Sequence, residues 1–66
     1  VQIYANDAPH DLAEGTTVAQ LLALLELADK PVAVELNRRV VPKARHGEQV
    51  LAAGDRLEIV TLVGGG

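Results

Sequence analysis

The chain has 66 residues, enough for one domain, and a chain of that length buries only about 60% of its unfolded surface, so a roofed catalytic cleft of its own is not expected. It has no Cys, Met, Trp or Phe, and Tyr4 is its only aromatic, which excludes disulfides, thiolate nucleophiles and cysteine metal sites and leaves almost nothing for base stacking. A net charge of −3 has the wrong sign for nucleic acid phosphates, and no apolar run approaches the ~20 residues of a membrane span.

The chain opens with strand alternation: Val1, Ile3 and Ala5 on one face, Gln2, Tyr4 and Asn6 on the other. Asn6-Asp7 offers a turn, since both side chains tolerate left-handed backbone, and Ala8 to Leu12 reads as the return strand of a hairpin. Pro9 lacks an N–H, which puts that strand at a sheet edge. Thr17 and Gln20 have capping-box spacing, and Val18, Leu21, Leu22 and Leu25 form one helical stripe that Leu24 and Leu27 widen. The helix is expected to close at Pro31. Val32, Val34 and Leu36 alternate inward along the next strand, Asn37-Arg38-Arg39 turns the chain, and Val40-Val41 pairs briefly before Pro42. Residues 43–49 read as a short helical turn or loop, Val50-Leu51 as one more extended segment, and Gly54-Asp55 as a turn. Arg56 to Val63 is the longest strand, with Leu57 and Ile59 toward the core and Val60 and Leu62 on the other face.

Hairpin, helix, strand, short strand and final long strand make an α+β domain, residues 1–63, with a mixed sheet of four or five strands and one main helix packed on one face. If the last strand lies beside the first, the arrangement is the β-grasp, or ubiquitin-like, fold. With no signal-peptide pattern at the start, a soluble cytoplasmic domain is expected, and a first residue other than Met fits removal of the initiator.

Gly64, Gly65 and Gly66 follow the final strand without a linker. Glycines add no packing and lose the most backbone entropy on ordering, so the tail is expected to be mobile. Extended, three residues reach about 10 Å, far enough to thread a narrow channel and present a carboxylate inside a partner. The plain alternative is a disordered end or an expression scar. A scar normally follows a finished domain, whereas this tail follows the last core strand directly.

Across its whole length the sequence resembles the ThiS family of sulfur carriers in thiamine biosynthesis. The resemblance rests on Ile3-Tyr4-Ala5-Asn6, Glu14-Gly15-Thr16-Thr17-Val18, Ala33-Val34-Glu35-Leu36-Asn37, Val40-Val41-Pro42-Lys43, Gly54-Asp55 and Gly65-Gly66, in that order. It implies a ubiquitin-like fold with no enzymatic activity and no bound cofactor. It further implies that an E1-like enzyme, ThiF, adenylates Gly66 with MgATP. A sulfur donor system using cysteine then forms the thiocarboxylate, which delivers sulfur to thiazole synthase, ThiG. Gly64 departs from a plain Gly-Gly ending. Other readings are the small subunit of molybdopterin synthase (MoaD), a ubiquitin-like protein modifier, and a non-reactive β-grasp binding module.

Tyr4, Val60, Leu62 and Val63 are expected to form a docking patch that leads into the tail, since exposed apolar clusters often mark interaction sites. The bland alternative is scattered surface residues. Arg38 and Arg39, with Lys43 and Arg45 nearby, are candidates for electrostatic contact with a partner. His10 and His46 lack a third ligand at metal spacing and are expected at the surface, so no metal site is expected. Thr16, Thr17 and Thr61 belong to no nucleophile constellation.

Overall fold

The computed structural model describes residues 1–62. Strands β1 (Gln2–Ala5), β2 (Ala8–Asp11), β3 (Val32–Leu36), β4 (Arg39–Val41) and β5 (Arg56–Thr61) form one mixed sheet. One helix, α1 (Val18–Leu24), and a 3-10 turn at Lys43–Arg45 complete the fold. The strand order is β2-β1-β5-β3-β4. β5 is therefore central, parallel to β1 and antiparallel to β3, while the Pro9-bearing β2 is an edge strand as its missing N–H demands.

Both hairpins use the same device. Asn6 and Asp7 have φ of 51° and 68°, and Asn37 and Arg38 have 51° and 71°. Two consecutive left-handed residues give a two-residue turn whose twist matches that of the flanking strands, and this fixes the registers Ala5 to Ala8 and Leu36 to Arg39.

Ile3, Val18, Leu21 and Val34 are fully buried, so the strand alternation and the helical stripe meet in one core. Leu57 and Ile59 bring β5 to the same side, and Leu12 and Leu51 are buried in the same cluster. The N-terminus of α1 carries the expected capping box: the Gln20 N–H donates to Thr17 Oγ1 (3.2 Å), and the Thr17 N–H donates to Gln20 Oε1 (2.9 Å).

The C-terminus of the helix differs from expectation. The helix stops at Leu24, not at Pro31. Glu26 turns left-handed at φ 61°, and the Glu26 N–H reaches the Ala23 carbonyl (3.0 Å). The Leu27 N–H reaches the Leu22 carbonyl (2.8 Å). This pair of bonds is a Schellman cap, which satisfies the last free carbonyls and swings Leu27 back against the core. The apolar spacing that suggested a longer helix is kept by Leu27, but through a turn. Leu24 is left outside, 67% exposed. The final strand also ends early, at Thr61; Val63 lies outside the described residues.

Candidate functional site

Gly64, Gly65 and Gly66, the residues expected to carry the chemistry, lie with Val63 outside the described residues. What the structure defines is the strand that leads to them and the surfaces on either side of it. β5 is held from both neighbours by asparagine side chains as well as by backbone ladders. The Asn6 carboxamide donates to the Ile59 carbonyl (2.9 Å) and accepts from the Ile59 N–H (2.8 Å). Asn37 accepts from the Arg56 N–H (3.0 Å) and donates to Asp55 Oδ1 (3.0 Å), whose other oxygen accepts from the Ala52 N–H (2.8 Å). Sequence reasoning assigned Asn37 and Asp55 to turns and Asn6 to a turn and the outward face of the first strand. Their second role, fixing β5 at both ends, carries no local sequence signal because the partners lie up to 53 positions away.

The sheet face away from α1 carries Tyr4 on β1, Arg56, Glu58 and Val60 on β5, Ala33 and Glu35 on β3, and Val40 on β4. Residues paired directly across strands share a face, and Tyr4 pairs with Arg56, Glu58 with Glu35, and Val60 with Ala33. Val60 is 51% exposed, as expected. Tyr4 is half-buried on the same face, but the Arg56 guanidinium lies 4.6 Å from its ring centroid and reaches Asp7 at 3.9 Å. Tyr4 and Val60 also stand four strand positions apart, about 13 Å at strand rise, with Glu58 between. They do not form one apolar patch.

Leu62 is 52% exposed, but it lies past the end of β5. Its N–H bonds the Pro31 carbonyl (2.8 Å), and it borders a groove with Leu22, Leu27 and His46 on the helix side. The bond to Pro31 is the next step of the register that pairs Val32 with Thr61, so the backbone of Leu62 still follows the β5 ladder that carries Val60. Arg38 borders a recess of about 490 Å³ with Glu35, Glu58 and Arg56, whereas Arg39 borders a different one with Val40, Pro42 and Arg45. The two arginines thus serve separate surfaces.

His46 is a second correction. It is 7% exposed, with Nε2 3.0 Å from the Val41 carbonyl oxygen, and its own carbonyl accepts from the Ala19 N–H (2.9 Å). It ties the segment after β4 to the helix. Among the described residues no group of three or more His, Asp and Glu side chains is placed to hold a metal ion, and no helix is long and apolar enough to cross a membrane.

A five-stranded mixed sheet of order 2-1-5-3-4 with a single helix on one face is the β-grasp arrangement of ubiquitin-like proteins. The ThiS family model matches residues 1–66, and the chain belongs to that family of sulfur carriers in thiamine biosynthesis. It is similar to the crystal structure of the thiamine biosynthesis protein (ThiS) from Geobacter metallireducens, with a TM-score of 0.83, 30% identity and full coverage of both chains. It is 44% identical to the sulfur carrier protein ThiS of Bacillus subtilis over 50 residues, 76% of each. It is also 41% identical over all 66 residues to a thiazole synthase of Magnetococcus marinus, of whose length it spans 20%.

Proposed function

We propose that the chain carries sulfur on the carboxyl carbon of Gly66 and acts as a co-substrate of its partner enzymes, performing no catalysis itself. A carboxylate is a poor electrophile because oxide is a poor leaving group. An E1-like enzyme using MgATP joins the Gly66 carboxylate to AMP and releases pyrophosphate. Sulfide, drawn ultimately from cysteine, attacks the acyl carbon, and AMP departs with the C–O bond's electron pair. The product is a terminal thiocarboxylate. Charge that develops in these steps is stabilised by the partner's hydrogen-bond donors and Mg²⁺.

The observation that carries this reading is the placement of β5. In sequence the glycine run closely follows this central, doubly clamped strand, which supports a rigid scaffold with a side-chain-free end. The absence of cysteine from the sequence supports it, since a terminal acyl group is then the available sulfur-bearing atom. The likeness to a thiazole synthase over the whole chain supports thiazole synthase as the acceptor of that sulfur. In this reading Gly64 and Gly65 thread the partner's channel, while Val60 and Leu62 with neighbouring Val63 contact its surface.

Incubation with the activating enzyme, MgATP and a sulfide source tests the proposal by intact mass. Exchange of one oxygen for one sulfur is expected in the C-terminal peptide and nowhere else. An unchanged mass, with the activating enzyme shown to be competent on another carrier, contradicts it.

A further inference from the structure

A groove of about 170 Å³ opens beside the end of β5, between the loop that follows α1 and the 3-10 turn. Leu22, Leu27, Val32 and Leu62 line it with aliphatic surface, and Lys30, Lys43 and His46 supply its polar groups. Both lysines are exposed, and neither takes part in an ion pair among the described residues.

His46 is fixed at the wall of the groove by a hydrogen bond. Its Nε2 faces the Val41 carbonyl oxygen, which only accepts, so Nε2 carries a hydrogen. Nδ1 has no hydrogen-bond partner among the described residues. His46 borders the groove, held in place by the Nε2 bond.

Size and chemistry together select the occupant. Small-molecule sites begin at about 300 Å³, so a nucleotide or cofactor does not fit, whereas one side chain does. The aliphatic walls suit a Leu- or Val-like group, and the two ammonium groups suit a carboxylate beside it. Two unpaired lysines together on a chain of net charge −3 mark the rim as complementary to an acidic segment.

We propose that this groove docks a short acidic peptide segment of a partner protein, one aliphatic side chain inserted and its neighbouring carboxylate paired with Lys30 and Lys43. The inference rests on the sulfur-carrier reading for its choice of partner, because Leu62 both walls the groove and leads into residues 63–66.

The test is the double charge reversal Lys30→Glu, Lys43→Glu in the full chain. Its affinity for thiazole synthase and for the activating enzyme is measured against the native chain, with melting temperature as the control for folding. At least tenfold weaker binding to one partner is expected, with an unchanged melting temperature and a flatter salt dependence. Unchanged affinity for both partners, or no measurable binding of the native chain to either, overturns the groove. A change in the NMR shifts of Leu27 and His46 on deleting residues 63–66 without any partner also overturns it, by showing the chain's own end as the occupant. Sulfur loading of Gly66, followed separately by mass, tells this failure from failure of the carrier reading. Loading that persists beside an inert charge reversal sinks the groove alone.

Discussion

The carboxamide of Asn6 holds both backbone groups of Ile59, accepting from its N–H at 2.8 Å and donating to its carbonyl at 2.9 Å. The β1 ladder to β5 covers only Tyr4 to Arg56 and Ala5 to Leu57. Asn6, already turning left-handed into the hairpin, continues that ladder with its side chain and fixes β5 to within two residues of its end.

Removal of this clamp is therefore costly at a position that looks like an ordinary turn. Asn6→Gly keeps the left-handed backbone accessible and deletes the two bonds, so urea denaturation should show a loss of about 1–3 kcal/mol. Asn6→Ala should lose roughly 1 kcal/mol more, because alanine resists positive φ. Equal stabilities for the two variants would contradict the backbone part of this account.

Much of the fold was legible in the sequence because its signals are local. The alternation of Val1, Ile3 and Ala5, the stripe from Val18 to Leu25 and the Thr17–Gln20 capping pair all act within one element, and all appear in the structure. The early end of α1 was not legible, since a glutamate at φ 61° stands where glycine would announce a cap. Burial of His46 was hidden for another reason: its partner is the Val41 backbone, which no residue type encodes. For the same reason the asparagine clamps were not legible. On the candidate site, the exposure of Val60 was readable from alternation, whereas the Arg56 cover on Tyr4 depends on the parallel register of β1 with β5.

Adjacent residues on β5 should separate stability from recognition. Ile59→Ala removes a 7%-exposed core side chain and should cost about 2–5 kcal/mol in thermal or urea unfolding. Val60→Asp changes a half-exposed side chain and should stay within about 0.5 kcal/mol, yet weaken binding to thiazole synthase or the activating enzyme. A large fall in melting temperature for Val60→Asp would show that this side chain supports the core.

Glu26→Gly should stabilise the protein. A non-glycine residue in the left-handed region carries strain of about 1–3 kcal/mol, against roughly 0.5–1 kcal/mol for the extra freedom of glycine in the unfolded chain. The net gain, on the order of 1 kcal/mol, is measurable by denaturant titration. A destabilised variant would mean that the Glu26 side chain contributes contacts that offset its backbone strain.

Deletion of Gly66 should leave the melting temperature unchanged and abolish sulfur loading. Among the described residues, the core and the clamps on β5 all precede Leu62. An unfolded truncation would contradict the separation of scaffold from reactive end.

The most direct measurement is the mass of the C-terminal peptide of this protein isolated from its native cell. A peptide that ends at Gly66, with a fraction bearing sulfur in place of one carboxyl oxygen, is the predicted result. A peptide that runs on past Gly66 in every molecule leaves no acid to activate and contradicts the account.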